Sequence, residues 1–171
     1  MKKMIQVLMV LSSLVLSKAA LASEDPAVVS NVDFSRYIGL WYEIGHSPNF
    51  FQRWCERSTA EYGVNEKGNI TVFNTCLKNN KVHSTISGEA KVVNPDVPAK
   101  LRVDFGWFRR GDYWIVSLDE NYQWAVVSGP KKSSLFILSR QAPMHPELLK
   151  NILADLNQRG FNTEEIVYDT Y

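Results

Sequence analysis

Between residues 37 and 140 the chain is a succession of short β-rich segments whose connections are too short to cross over. The segments lie at about 40–46, 57–65, 69–77, 83–93, 99–105, 112–118, 123–128 and 134–140. Between them stand Asn65-Glu66-Lys67-Gly68, Lys78-Asn79-Asn80, Asn94-Pro95-Asp96-Val97-Pro98, Arg110-Gly111, Asp119-Glu120-Asn121 and Gly129-Pro130, built from residues that favour turns. Parallel neighbours need a crossover of about a dozen residues or more, so these strands must run antiparallel. In Leu101-Arg102-Val103-Asp104-Phe105 the apolar residues share one face and the charges the other, the pattern of a sheet with one wet side. Eight such strands in one sheet leave two unpaired edges, and an up-and-down barrel removes both by closing on itself. A barrel of about eight strands has room for one small ligand. The expected fold is therefore all-β, an eight-stranded antiparallel up-and-down β-barrel; a flat two-sheet sandwich is the competing architecture.

After Pro143 the period changes. Leu148, Leu149, Ile152, Leu153 and Leu156 form one helical stripe. Pro146 suits the first turn and Gly160 the position just past the end, which predicts one amphipathic α-helix of about 14 residues. His145-Pro146 is placed to cap it. Ile166-Val167-Tyr168 offers a short ninth strand, and residues 23–36 read as a loose N-terminal arm without periodicity.

The first residues carry a different signal. Lys2 and Lys3 precede an apolar run from Ile5 to Leu16, and Ala20-Leu21-Ala22 supplies small residues for a leader-peptidase site. This is the pattern of a cleaved secretory signal at 1–22, and the run falls well short of the roughly 20 residues that span hydrocarbon. No cysteine follows the run, so the usual site for lipid attachment is absent. The expected product is a periplasmic or secreted, unlipidated protein whose main domain covers 37–171. Removing Lys2, Lys3 and Lys18 leaves 16 basic residues against 18 acidic, a formal charge of −2. That balance argues against nucleic acid as partner, although Arg102, Trp107, Arg109 and Arg110 offer a stacking and charge patch.

Cys55 and Cys76 are the two cysteines, and an oxidising compartment favours their pairing. Folding the second and third strands about the Asn65–Gly68 turn with Val64 opposite Asn69 gives partner numbers that sum to 133. A shift of one residue on each side gives 131, the sum for Cys55 and Cys76. Both thiols then point to one face of the hairpin, within the roughly 4.4–6.8 Å Cα separation that a disulfide needs.

Three blocks along this framework carry a family resemblance. Gly39-Leu40-Trp41-Tyr42-Glu43-Ile44 resembles the Gly-x-Trp-Tyr-Glu-Ile signature that opens the first strand of lipocalins. Gly111-Asp112-Tyr113-Trp114 resembles their second block, and Leu138-Ser139-Arg140 resembles their third, an arginine on the last barrel strand. The blocks occur in order, and the similarity covers about Asp33 to Tyr168, in the style of the bacterial outer-membrane-type and plant temperature-induced lipocalins and of apolipoprotein D. The resemblance implies a barrel whose closed end is plugged by Trp41, with Arg140 packed across it and Gly39 allowing close backbone approach. A desolvated contact of that kind is worth about 1–2 kcal/mol.

With Trp41 at the base, the odd-numbered loops share the open end. They carry Phe50, Phe51, Arg53 and Trp54; then Lys78, Lys81 and nearby His83; then Trp107, Phe108, Arg109 and Arg110; then Lys131 and Lys132. The even loops carry Glu66, Asp96, Asp119 and Glu120. An apolar cavity under a basic, aromatic rim suits an amphiphile with an anionic head, and the resemblance likewise implies a fatty acid or lysophospholipid as partner. Strand parity and loop position nominate Phe51, Trp54, Val103, Phe105, Trp107, Tyr113, Phe136 and Leu138 for ligand binding. The rim aromatics would line the entrance or make peripheral contact with a membrane surface. The expected role is lipid storage, transport or envelope maintenance, without cofactor or metal, by a monomer or weak dimer.

Catalysis finds little support in the residues. His46, His83 and His145 are far apart in sequence, and no Gly-x-Ser-x-Gly, His-Glu-x-x-His or P-loop pattern occurs. A cysteine-dependent lipocalin enzyme, isomerase-like, would need Cys55 as a free thiol of low pKa. A protein-interaction module is the other alternative, since aromatic rims also mark interfaces. Glu43 reads as a hydrogen-bonded or surface carboxylate.

Overall fold

The computed structural model describes residues 24–106 and 109–171. The leader therefore lies outside the described residues, as do Trp107 and Phe108. Among the described residues a short helix, α1 (Phe34–Tyr37), leads into β1 (Gly39–His46), β2 (Arg57–Val64), β3 (Ile70–Lys78), β4 (Lys81–Val92), β5 (Lys100–Asp104), β6 (Arg110–Leu118), β7 (Trp124–Ser128) and β8 (Leu135–Ser139). The helix α2 (Pro146–Gln158) and the strand β9 (Val167–Tyr168) follow. Each of the eight strands pairs antiparallel with the next, and β1 pairs with both β8 and β2, so the sheet closes. Closure, not a sandwich, removes the edges.

Two apolar cores result. The inner one gathers Trp41, Tyr62, Val72, Ala90, Leu101, Val103, Ile115, Val127 and Leu138 inside the barrel. The outer one packs Ile44, Trp114, Val126, Leu135 and Ile137 against Ile152 and Leu156 of α2 and against Phe161. This second layer explains a departure from simple alternation. Strands β7 and β8 lie between the lumen and α2, so both their faces are buried and Ala125, Val126, Val127 and Leu135 are all apolar. Among the described residues nothing covers the outside of β5, and the exposed Arg102 there pairs with Asp112 at 3.3 Å.

Three local expectations are corrected. The N-terminal arm is docked, not loose: Val32 joins the inner core, Val28 and Val29 pack beside it, and the Val29 N–H donates to the Ile115 carbonyl. His145 occupies the N-cap position of α2, but its side chain makes no capping hydrogen bond; Pro146 at N1 sets the start instead. Gly160, at φ +76, ends the helix as the sequence predicts. The β2–β3 hairpin has Val64 opposite Ile70 and Ser58 opposite Cys76, a sum of 134. Cys55 thus lies before the ladder, where a turn closed by its N–H to the Gln52 carbonyl carries it to Cys76. The disulfide forms with a Cα separation of 5.3 Å.

The upper half of the β1–β2 seam is unusual. The two strands pair only from Gly39–Tyr62 to Tyr42–Thr59. Above that point the C-terminal chain bridges the gap. β9 pairs with Gly45 and His46, the Asp169 N–H donates to the Ile44 carbonyl, and the Thr170 N–H donates to the Glu56 carbonyl. Gly45 permits this: a Cβ there would stand 2.8 Å from Ile166 Cγ2 and 3.2 Å from the Val167 carbonyl.

At the other end the barrel is shut. The Arg140 guanidinium lies 3.8 Å from the centroid of the Trp41 ring. It donates to the carbonyls of Leu40 (2.6 Å), Arg36 (2.9 Å), Ile38 (2.9 Å) and Tyr37 (3.1 Å), while Trp41 Nε1 donates to the Tyr37 carbonyl at 2.8 Å. Gly39, at φ +96, leaves its missing Cβ 3.5 Å from Arg140 Nη1.

Arg140→Met should cost about 2–4 kcal/mol in urea unfolding, because it strips charge-assisted donors from a half-buried group of carbonyls along with the ring contact. Arg140→Lys should recover only a minority of that loss, since one ammonium cannot span the acceptors of a planar fork. Reduction of the Cys55–Cys76 bond should lower stability by roughly 3 kcal/mol, the loop-entropy value for a separation of this size; unchanged urea midpoints would contradict either expectation.

Candidate functional site

The lumen changes character from bottom to top. Above Trp41 it is filled by three tyrosines. The Tyr37 and Tyr62 hydroxyls both lie 2.8 Å from the Tyr113 hydroxyl, and the Tyr37 ring packs on Trp41 with centroids 5.0 Å apart. Burial pushes all three phenols above their ordinary range, so they are neutral and exchange hydrogen bonds. The void left among Phe34, Tyr37, Tyr62, Ile70, Ala90, Leu101, Val103 and Tyr113 is about 10 Å³, space for about one water. A larger concavity of about 400 Å³ lies on the outer face of β4, β5 and β6, among Glu89, Lys91, Val92, Val93, Arg102, Asp104 and Arg110.

Higher up, the lining becomes more exposed. The inward series on β3 runs Ile70, Val72, Asn74, Cys76, and its partners on β4 run Ala90, Gly88, Ile86, Ser84. Ile70, Val72 and Ala90 are buried, Gly88, Asn74 and Ile86 are half-buried, and Ser84 is exposed. Phe105 and Phe136 pack on the top of the inner core and remain partly open. Asn74 Oδ1 is buried and has no hydrogen-bond partner. The lining thus passes from buried beside the tyrosine layer to exposed toward the rim.

The rim is built by loops one, three and five. Phe50, Phe51 and Trp54 are 68%, 74% and 55% exposed. Arg53 lies 3.9 Å from the Phe50 ring and 5.1 Å from that of Trp54, Lys78 sits 5.2 Å from Trp54, and Arg109 reaches to 6.0 Å from Phe51. Loop seven does not join them as predicted. The Lys132 ammonium is drawn outward over the Phe161 ring at 5.6 Å, and the Lys131 N–H donates to Asp25. Arg110 is also engaged, in an exposed ion pair with Asp104 at 2.7 Å.

Of the residues nominated for ligand binding, Val103, Tyr113 and Leu138 lie low in the lumen, Phe105 and Phe136 at its middle, and Phe51 and Trp54 on the rim. Trp107 lies outside the described residues. Tyr113 is part of the floor, not of an open wall.

A polar group in the wall escaped the sequence. A β-bulge between Glu43 and Gly45 flips the parity of β1, so that Glu43 and His46 both face inward. Glu43 Oε1 accepts from Gln52 Nε2 at 2.6 Å, which ties loop one to the barrel. His46 Nδ1 lies 2.8 Å from Glu43 Oε1 and 3.8 Å from Asp169 Oδ1. Asp169, brought in by the C-terminal chain, accepts the Ser58 N–H on its other oxygen. Burial, reinforced by the Glu43 charge, pushes the Asp169 carboxyl up to about 7. At His46 burial disfavours the charged form, but Glu43 and Asp169 outweigh it and hold the imidazole above its ordinary range. The glycine in Glu43-Ile44-Gly45-His46 was the available signal for the bulge; nothing local pointed to Asp169.

The comparisons agree with this architecture. Residues 32–170 match the family model of the lipocalin-like domain. The chain is 32% identical to outer membrane lipoprotein Blc of Vibrio cholerae over 164 residues, covering 95% of this chain and 96% of that protein. It is 34% identical to temperature-induced lipocalin-1 of Arabidopsis thaliana, covering 81% and 79%, and 36% identical to apolipoprotein D of Macaca fascicularis, covering 77% and 75%. The solved structure of insecticyanin from the tobacco hornworm Manduca sexta superposes with a TM-score of 0.68 at 18% identity over 86% of this chain and 84% of that one. A closed eight-stranded barrel sealed by Trp41 and Arg140, a flanking helix and these matches together make this chain a member of the lipocalin family.

Proposed function

We propose that the protein carries a single-chain amphiphile, a fatty acid or lysophospholipid, with its tail in the upper lumen and its head at the cationic rim. Members of this family bind small hydrophobic ligands. The observation that carries the specific reading is the gradient along the lumen: sealed and dry at Trp41, progressively exposed toward Ser84, and crowned by exposed aromatics interleaved with Arg53, Lys78 and Arg109. Buried tail carbons contribute about 0.8 kcal/mol each, and rim cations attract a phosphate or carboxylate and speed capture. The unpartnered Asn74 Oδ1 offers an acceptor for a hydroxyl of a glycerol head. Phe50, Phe51 and Trp54 are suited to dip into a membrane surface during transfer.

Export fits both the leader pattern and the relatives named outer membrane lipoprotein. Both cysteines are consumed by one disulfide, which supports an unlipidated chain and takes away the nucleophile that a Cys55-dependent enzyme would use.

Titration of delipidated protein with palmitoyl-lysophosphatidylglycerol should quench tryptophan fluorescence saturably. Shortening the acyl chain by two carbons should weaken binding about tenfold for as many carbons as the cup encloses; affinity independent of chain length would refute the reading. Trp54→Ala should weaken binding by roughly 3–10-fold, the loss of one partly exposed aromatic contact. In stopped-flow measurements the Arg53→Glu/Lys78→Glu pair should slow association of the anionic lipid several-fold at low salt and little at high salt, while leaving a neutral monoacylglycerol unaffected.

A further inference from the structure

We propose that Glu43, His46 and Asp169 form a binding site for a divalent first-row transition-metal ion in the upper wall of the barrel. Their ligand atoms, one imidazole nitrogen and two carboxylate oxygens, all lie within 4.8 Å of one another. The group is not a solvated surface cluster: the side chains of His46 and Asp169 are 4% and 2% exposed, and that of Glu43 is 8% exposed.

Two features ask for a cation. First, among the described residues the only ion-pair partner of either carboxylate is His46 itself. Arg57, the nearest guanidinium, is turned to the Asn80 side chain and the Tyr171 ring. Two dry carboxylates with one imidazole between them leave charge that burial makes costly. Second, His46 Nδ1 is buried and has no hydrogen-bond partner, although Glu43 Oε1 is only 2.8 Å away. His46 Nδ1 and Glu43 Oε1 thus stand at a separation that two ligands of one ion also keep.

The surroundings hold these groups as a second sphere holds ligands. Gln52 Nε2 donates to Glu43, the Ser58 N–H donates to Asp169, and the Phe136 ring packs along the His46 ring at 6.5 Å. A nitrogen with two carboxylate oxygens suits zinc, cobalt or manganese, whereas calcium and magnesium favour oxygen-only shells. Three protein ligands leave coordination positions free on the lumen side, because Glu43 and His46 project from the inward face of β1.

The test uses untagged mature protein stripped with chelator and titrated calorimetrically with zinc, cobalt, magnesium and calcium chlorides. Zinc and cobalt should bind one per chain and the two hard ions should not, and cobalt should give visible d–d absorption. His46→Gln and Asp169→Asn should each weaken zinc binding at least tenfold, with far-UV circular dichroism unchanged. The His83→Gln/His145→Gln pair should bind as the parent does. Should either wall variant misfold, an anomalous difference map from zinc-soaked crystals of the unaltered protein decides: density among the three residues supports the site. No saturable one-to-one binding, density elsewhere, or binding that follows His83 and His145 overturns it. The metal titration is read by calorimetry on lipid-free protein and the lipid titration by tryptophan fluorescence, so failure of the carrier reading leaves this one standing.

Discussion

The Arg140 guanidinium spread over Trp41 is the constraint on which the rest of the barrel depends. Where the chain crosses the closed end, the carbonyls of Arg36, Tyr37, Ile38 and Leu40 converge on one guanidinium that donates to all of them. Charge-assisted donors hold such a group of carbonyls more firmly than water does. One planar side chain supplies them all and stacks on the indole with its free face. Its position then dictates others. Gly39 must lack a side chain beside Arg140 Nη1 and must take a left-handed backbone, and α1 must lie across the base so that its last carbonyls are in reach.

The tyrosine layer above Trp41 follows from the same need for satisfied polarity in a dry place. Three phenols in mutual hydrogen bonds fill a tapering lumen without leaving an orphan hydroxyl. This layer also limits how deep a ligand can reach. With about 10 Å³ left among these rings, the lower lumen has no room for a hydrocarbon chain.

The barrel was legible in the sequence because its evidence is local. Turn lengths force antiparallel neighbours, alternation on β5 reports a wet outer face, and the stripe ending at Gly160 reports α2. What was not legible depends on long-range placement. Alternation fails on β7 and β8 because a helix distant in sequence covers them. Parity along β1 holds to Glu43 and then breaks at the bulge, so His46 could not be assigned to the lumen by counting. The loop-seven lysines share an end of the barrel with Trp54, yet Lys132 is claimed by Phe161. The register of the Cys55 hairpin missed because the cysteine belongs to the loop before β2, not to the ladder. Of the site, the rim composition and the inward set on β5 and β8 could be read; Asp169, carried in by the chain terminus, could not.

The two ends of the β1–β2 seam are closed by different means, and the difference bears on how the cup can open. Below, direct strand pairing from Gly39 to Tyr42 joins the Arg140 network, and both resist separation together. Above, the strands part and the C-terminal chain spans them, through the Asp169 and Thr170 N–H groups and the Tyr171 hydroxyl on the carbonyls of Glu43 and Ser58, with the Gln52 side chain donating to Glu43 and Ser58 beside it. Few apolar contacts back these bonds, since Val167, Tyr168 and Tyr171 are exposed, and regions of that kind open at lower free energy than the core. The buried Glu43–His46–Asp169 group sits in this seam, and Asp169 joins it from the C-terminal chain while accepting the Ser58 N–H of β2.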